Sequence, residues 1–261
     1  MNNFIAGGCS FTYGSELGDE VKTKQPSTRS WAYKLKPNRM NYICAAKPGA
    51  GNPGIARRVF EAVSANTDVK VVVVMWSFLS RYDWAMPRHK SLERTRWASI
   101  SPWDTGIGNR EALKKLSGSE PQIEDWKHRQ DLFKETGVKD FADCLYKHAA
   151  NQYHEIYLSW KSIIWLQNIL EKKNIKFMFT LADNSLFYDK KEEHKDIDPF
   201  MNALYKEIDF TKWHFFGDRA MGFNQWSILE EYKRGTTHPL DEAHTDAVKL
   251  MRPTYAKLIG E

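Results

Sequence analysis

A single serine stands out near the start of the chain, in the stretch FIAGGCSFTYG at residues 4–14. One short apolar run leads directly into two glycines, Cys9 and Ser10. Glycine permits backbone angles that other residues resist, so this stretch predicts a tight turn at the end of a strand. Ser10 would then stand at the edge of a sheet. A serine hydroxyl there becomes a nucleophile when a base lies within hydrogen-bond reach, which is the chemistry of acyl transfer.

Two histidines further along the chain are candidates for that base. His238 precedes Pro239, and we prefer it because a loop residue before a helix-opening proline faces the strand edge. The second candidate is His244, which forms a D-x-x-H pair with Asp241 on one face of a helix. Ser10 also has a plainer alternative, as the N-cap of a helix that follows the strand.

Five segments have the character of strands, and helices fall between them. The clearest is VKVVVVMW at 69–76, a run of apolar residues without alternation that is typical of a strand buried on both faces. The other predicted strands are 3–8, 40–46, 175–183 and 212–218, and the predicted helices include 53–65, 151–174 and 239–251.

Strands that alternate with helices predict an α/β fold, a three-layer α/β/α sandwich with a mostly parallel, flavodoxin-like sheet of about five strands. Ligands of such sheets bind outside the carboxyl ends of the strands. The loops at Ser10, around Gly49 and after Trp76 follow predicted strands, so we expect them to gather at one edge. We expect one domain over residues 1–261, with an insertion or cap at about 77–149 that is polar and carries Gly and Pro.

Three short blocks occur in a fixed order at these predicted strand ends: GGCSFTYG, KPGAGN and THPLDEAH. They resemble the first, second and last blocks of the SGNH/GDSL hydrolase superfamily, and the cysteine in the first block is similar to members from bacteria and tailed bacteriophages. The resemblance implies a serine esterase that needs no cofactor and no metal. It also implies these roles: Ser10 as nucleophile, His238 as base, and the backbone N–H groups of Ser10 and Gly49 as oxyanion donors.

The chain departs from the pattern of this family in its third block, Gly-x-Asn-Asp. WSFLSRYDW at 76–84 stands in its place, so the asparagine that normally gives a third oxyanion donor is missing. We expect Asn52 to supply that donor, with a plain N-cap role as the equal alternative. Ser77 and Arg81 lie in the same loop and are candidate substrate contacts, with Arg81 able to orient an anionic or carbonyl group.

The acidic partner of the base is the second departure. The family places an aspartate three residues before its histidine, and Gly235 occupies that position here. We therefore expect a Ser10–His238 dyad in which a backbone carbonyl orients the imidazole.

Tryptophans are concentrated in or beside the insertion, among several arginines. They could form a sugar-stacking platform over Ser10, with Trp84 as a substrate contact, or they could build the small core of a cap that is poor in Leu and Val. The residues concerned are Trp76, Trp84, Trp97, Trp103 and Trp126.

These features together predict a serine esterase that cleaves O-acyl (acetyl) esters of carbohydrate or other small esters. A catalytically silent binding or structural subunit, for example of a phage particle, is the alternative that the missing asparagine block and Gly235 favour. A lipid-ester hydrolase is a weaker third reading, because no apolar, membrane-seeking helix is evident.

Composition narrows the partners and the compartment. The net charge of +5 is a mild excess and does not by itself predict nucleic-acid binding. Three cysteines without a C-x-x-C pair predict neither a disulfide framework nor a zinc site. No secretory h-region and no membrane-spanning run is evident, so we expect a cytoplasmic protein, in a host cytoplasm or virion if phage-encoded. Homo-oligomers and assembly into a larger particle stay open.

Overall fold

A central parallel sheet organises the chain. The structure is a computed structural model that describes residues 2–86, 97–106, 108, 120–188 and 198–260. Within these residues the main sheet has four strands in the spatial order β2-β1-β3-β6, all parallel, and a separate antiparallel hairpin joins β4 to β5. The strands are β1 (Asn3–Gly7), β2 (Asn41–Cys44), β3 (Val69–Trp76), β4 (Tyr82–Ala85), β5 (Trp97–Ile100) and β6 (Lys176–Leu181).

Helices cover both faces of the main sheet, and two further helices pack with the β4–β5 hairpin. They are α1 (Ser10–Tyr13), α2 (Gly18–Thr23), α3 (Trp31–Leu35), α4 (Asn52–Ala65), α5 (Glu120–Glu135), α6 (Val138–His148), α7 (Gln152–Lys172), α8 (Pro199–Lys206), α9 (Phe223–Leu229) and α10 (Asp241–Ile259). Short 3-10 turns occur at Pro102–Asp104, Asn184–Leu186 and Phe210–Lys212.

The side chains of β3 show why the sheet is buried on both faces. Successive residues of a strand point to opposite sides, and in β3 both sets are apolar and buried. One set packs with α4 and α7: Val72, Val74 and Trp76. The other packs with α3 and α10: Val71, Val73 and Met75. This arrangement is the predicted three-layer α/β/α sandwich with a parallel sheet.

The predicted strand at 212–218 is wrong as a full strand. Its only pairing in the described residues is one parallel bridge between Phe179 and Trp213, with the His214 N–H donating to the Phe179 carbonyl at 2.9 Å. The Phe216 N–H donates instead to the Met221 carbonyl, so the chain turns away from β6. Within the described residues the sheet therefore has four strands, and a single marginal bridge lies beside β6.

The segment at 77–149 forms a small unit with its own apolar cluster where it is described. The hairpin β4–β5 packs with α5 and α6 around buried Tyr82, Ile100 and Phe133. Glu155, in the first turn of α7, accepts hydrogen bonds from the Tyr82 hydroxyl and the Ser80 N–H. These contacts attach the unit beside the start of α7. Predictions for 87–96, 107 and 109–119 lie outside the described residues.

None of the helices in the described residues combines the length and apolar character needed to cross a membrane.

Candidate active site

The turn after β1 presents Ser10 at the carboxyl edge of the sheet. Gly8 has a φ of +152°, and a Cβ there would lie 2.1 Å from Thr12 Oγ1, so the turn requires glycine. Cys9 follows and is fully buried, and Ser10 begins α1 with 7% of its surface exposed. The sharp turn thus buries the thiol and directs the next residue to the edge.

His238 reaches the serine from the far end of the chain. Its Nε2 lies 2.7 Å from Ser10 Oγ, although the two residues are 228 positions apart. His238 ends a tight hairpin in which the Gly235 N–H donates to the His238 carbonyl at 2.9 Å. Its ring also packs against Phe11, with centroids 4.7 Å apart. The imidazole is therefore held from the backbone side and from the ring face.

Glu16 binds the other side of the same imidazole. Its Oε1 lies 3.0 Å from His238 Nδ1, and its side chain is only 10% exposed. The carboxylate also accepts hydrogen bonds from the Thr237 N–H and hydroxyl and, at 3.3 Å, from the His238 N–H. A carboxylate, not the expected backbone carbonyl, thus orients the imidazole.

The backbone around Glu16 explains how a residue so close to Ser10 in sequence reaches behind the histidine. Gly14 ends α1 in the left-handed region at φ 81°, and Glu16 itself has a φ of 71°. A residue with a side chain seldom adopts the left-handed conformation. Where one does so at a functional site, the surrounding contacts keep it there. This reversal turns the Glu16 side chain back toward the hairpin.

The hydrogen bonds of Glu16 indicate which ring nitrogen of a neutral His238 carries the proton. Burial would raise the pKa of Glu16, but the hydrogen bond and charge of His238, with the Thr237 hydrogen bonds, lower that pKa to about 2. An ionised carboxylate only accepts hydrogen bonds, so a neutral His238 carries its proton on Nδ1. Its Nε2 then accepts the hydrogen bond from the Ser10 hydroxyl, which is the orientation a general base requires.

The alternative pair, Asp241 and His244, is not brought together. His244 is 1% exposed, and its Nδ1 accepts a hydrogen bond from the Trp31 N–H at 3.0 Å. Burial and the charges of His238 and Lys34 lower the pKa of His244 to about 3. The Asp241 carboxylate instead lies 3.5 Å from the Arg29 guanidinium at the surface. His244 is therefore a core residue in this structure.

Gly49 lies in a turn whose first residue is hydrogen-bonded to the backbone just before Ser10. Lys47 donates its N–H to the Gly8 carbonyl at 3.1 Å, and the Ala50 N–H donates back to the Lys47 carbonyl at 3.1 Å. With proline at 48 and Gly49 at φ 77°, this is a type II turn, which demands glycine at its third position. A Cβ on Gly49 would meet nothing within 4 Å, so the residue faces open space.

Asn52 is committed to contacts within the protein. It is 1% exposed, and its Nδ2 donates to the Ser77 carbonyl at 3.2 Å and to Ser159 Oγ at 3.0 Å. Its Oδ1 accepts the Ser77 N–H at 2.7 Å. Both amide hydrogens are used, so the side chain has none left for an oxyanion in this conformation. Asn52 is also the first residue of α4, and Gly51 is the N-cap.

The three candidate substrate contacts lie in different surroundings. Ser77 is buried and accepts a hydrogen bond from Arg81 at 2.9 Å. The Arg81 guanidinium lies over the Phe78 ring at 4.8 Å, and that ring is 5.9 Å from Phe11, which covers the histidine. Trp84 is 47% exposed and packs on Phe141 in the 77–149 unit. Arg81 thus connects with the site through two rings, and Trp84 packs within the 77–149 unit.

Two of the other tryptophans have different surroundings. Trp76 is fully buried in the main core against Phe179, and Trp97 lies under the Arg57 guanidinium at 4.4 Å.

Within the described residues, no group of three or more His, Cys, Asp or Glu side chains could hold a metal ion.

Comparisons with known proteins give a likeness to solved structures. No family model matches the chain, and no curated protein matches it. Among solved structures it is similar to the crystal structure of a member of the lipolytic protein G-D-S-L family from Veillonella parvula DSM 2008. The two share 11% identity over 99% of this chain and 100% of the other, with a TM-score of 0.44. Similarity of that degree does not define an activity.

Proposed function

We propose that the protein is a serine acyl hydrolase in which Ser10 is the nucleophile and His238 the general base. One observation carries this proposal: the His238 imidazole lies between Ser10 Oγ at 2.7 Å and the Glu16 carboxylate at 3.0 Å. A nucleophile, a base and an orienting carboxylate in sequential hydrogen-bond contact form the arrangement that activates a serine.

The reaction follows from these contacts. His238 Nε2 takes the proton of the Ser10 hydroxyl as Oγ attacks the ester carbonyl, and the carbonyl oxygen becomes an oxyanion. The imidazolium then gives its proton to the leaving alcohol as the ester C–O bond breaks. Water repeats the sequence on the acyl-serine, which releases the acid and restores the hydroxyl. Glu16 remains ionised throughout and stabilises the imidazolium.

The backbone N–H groups of Ser10 and Gly49 are the proposed oxyanion donors. The Gly49 turn begins at Lys47, whose N–H bonds the Gly8 carbonyl two residues before Ser10. Within the described residues, the Gly49 N–H donates to no other group. Each such donor in a dry site is worth about 3 kcal/mol of transition-state stabilisation.

The substrate class we propose is an O-acyl ester of a carbohydrate or another small ester. Trp84 supports a sugar, because its half-exposed ring beside Phe141 offers a flat aromatic surface. Arg81 supports a substrate with an anionic or carbonyl group near the scissile bond, since its guanidinium lies over Phe78 close to the site.

A catalytically silent binding or structural subunit is the second candidate, and Asn52 favours it. Its amide hydrogens are taken by Ser77 and Ser159, so it supplies no third oxyanion donor in this conformation. A reactivity measurement separates the two candidates.

The experiment is labelling with a fluorophosphonate probe together with hydrolysis of a short-chain aryl ester and of acetylated sugars. Wild type should label and hydrolyse, and Ser10→Ala and His238→Ala should each abolish labelling and lower kcat/KM by about 10³-fold or more. The matched controls are Ser15→Ala, next to the site in sequence, and His244→Gln. Both should keep the labelling of the folded protein. Wild type that neither labels nor hydrolyses any acyl ester would establish the silent subunit, and loss in His244→Gln but not in His238→Ala would transfer the base.

A further inference from the structure

The carboxylate of Glu16 occupies the space that a side chain at Gly235 would need. A Cβ built on Gly235 would lie 2.2 Å from Glu16 Oε2, 3.2 Å from its Cδ and 3.3 Å from its Cβ. Real Cβ atoms do not approach other atoms at 2.2 Å, so any larger residue at 235 displaces the carboxylate.

The backbone of Gly235 does not itself require glycine. Positive φ angles occur at five glycines, Gly8, Gly14, Gly49, Gly137 and Gly260, in the described residues, and Gly235 is not among them. What position 235 contributes is therefore the missing side chain. Position 235 is also three residues before His238, where the resemblance to SGNH hydrolases places an acid.

We propose that Glu16 and Gly235 are a coupled exchange, in which the acid that orients the base has moved to the turn after α1 and glycine at 235 makes room for it. The catalytic part of this inference rests on the proposed function. Glu16 touches neither substrate nor reacting atoms, so it is a positioning residue that acts through His238.

Four contacts support the exchange independently of sequence position. The carboxylate receives His238 Nδ1 at 3.0 Å, the Thr237 hydroxyl at 2.8 Å, and the N–H groups of both Thr237 and His238. It therefore closes the hairpin and orients the ring together. A residue at 235 with a carboxylate could reach the same imidazole only after Glu16 has withdrawn.

The two roles of Glu16, closing the hairpin and orienting the ring, require a readout that separates them. The ¹⁵N chemical shifts of His238 report which ring nitrogen carries the proton. In wild type we expect the neutral imidazole to be protonated on Nδ1, facing Glu16. In Glu16→Gln the amide can present its NH₂ group to Nδ1 and favour the opposite tautomer, as happens when the orienting carboxylate becomes an amide.

The decisive experiment moves the acid. Three variants are compared with wild type: Glu16→Gln, Gly235→Asp, and the double variant Glu16→Gly with Gly235→Asp. Glycine at 16 suits the φ of 71° there and removes the three atoms that lie nearest to a Cβ at 235. Asp241→Asn is the matched control, because Asp241 is the acid of the alternative D-x-x-H pair.

Glu16→Gln should lower kcat by about 10³–10⁴-fold with KM changed by less than about threefold, since orientation acts on the chemical step. Gly235→Asp alone should have a comparably low kcat. The kcat of the double variant should exceed that of both single variants by at least tenfold, and its neutral His238 should again carry the proton on Nδ1. The kcat of Asp241→Asn should match that of wild type.

The outcomes that overturn the exchange differ from those that overturn the enzyme. A double variant no better than the singles, or a neutral wild-type imidazole that is protonated on Nε2 and not on Nδ1, refutes the exchange even if wild type hydrolyses esters. If wild type shows no Ser10 reactivity, the proposed function fails, and the tautomer measurements still decide whether Glu16 orients His238 and whether an acid at 235 can replace it.

Discussion

Arg81 is a cation that connects with His238 through the rings of Phe78 and Phe11. Its guanidinium donates to Ser77 Oγ and lies over the Phe78 ring. In the described part of the chain it has no carboxylate within 4 Å, since every ion pair there involves other residues. A fixed guanidinium with unused N–H groups suits a carboxylate or another anionic group on a substrate.

Arg81→Gln should therefore discriminate between esters by charge. For an ester with a carboxylate near the scissile bond we expect KM to rise about tenfold, because a hydrogen bond to a charged group contributes about 1.5–3 kcal/mol. A neutral ester of the same size should change by less than about threefold. The control is Arg252→Gln, an arginine that lies over Tyr255 on α10. Equal changes for both esters would exclude charge recognition by Arg81.

The residues of the site were predictable from the sequence to different degrees. Ser10 and His238 could be singled out because each lies in a short local pattern, two glycines before one and a proline after the other. Glu16 could not, because its contact depends on a left-handed backbone at 16 and on empty space at Gly235. An acid six residues after the serine, together with glycine at the family's acid position, is the signal that could have indicated it.

At the scale of elements, Asn52 joins three segments that meet at the carboxyl edge. It begins α4, bonds both backbone groups of Ser77 just after β3, and donates to Ser159 on α7. Truncation would leave the buried N–H and carbonyl of Ser77 without partners. An unpaired buried polar group costs about 1–3 kcal/mol.

We predict that Asn52→Ala lowers the free energy of unfolding by about 2–4 kcal/mol, from the loss of these buried hydrogen bonds. The kcat of the folded protein should fall by less than about tenfold, whereas removal of a true oxyanion donor costs about 10²–10³-fold. Urea denaturation and kinetics at low temperature measure both. Asn66→Ala, at the other end of α4, should change neither by much. A 10²-fold loss in kcat would assign Asn52 to the oxyanion after all.

The main strands were predictable because a buried parallel strand has a simple signature. The Val run of β3 was predicted at 69–76 and is found at Val69–Trp76, and β6 falls within the predicted 175–183. The aromatic run at 212–218 has the same apolar character, yet within the part of the chain that the structure describes only its Trp213 pairs with a strand. Pairing depends on whether a neighbouring strand continues alongside, and local sequence does not contain that information.

At the scale of the whole molecule, folding buries ionisable side chains together with the apolar side chains of the core. His214 is 8% exposed, and burial lowers its pKa to about 4. Burial likewise lowers the pKa of His244 to about 3, with the charges of His238 and Lys34 adding to the effect. Both histidines must stay neutral for the core to remain packed.

These shifts predict that the protein loses stability on mild acidification. Between the ordinary histidine value of 6.5 and the lowered values, the unfolded chain binds protons that folded His214 and His244 do not. Stability therefore falls as pH drops below about 6.5, with a slope of up to about 1.4 kcal/mol per pH unit for each histidine. Glu16 adds a further loss between 4.5 and about 2, where the unfolded carboxylate protonates first.

His214→Gln should remove the contribution of His214 to the dependence of stability on pH. Its ring nitrogen Nδ1 lies 3.3 Å from Thr254 Oγ1, so glutamine keeps a polar group there without a group that titrates near neutral pH. Urea midpoints measured from pH 7.5 to 4.5 should decline less steeply in this variant than in wild type, whatever its stability at pH 7.5. His148→Gln, at an exposed position on α6, should leave the slope unchanged. A slope in His214→Gln equal to that of wild type would mean that folding does not lower the pKa of His214, so that His214 contributes nothing to the acid sensitivity between these pH values.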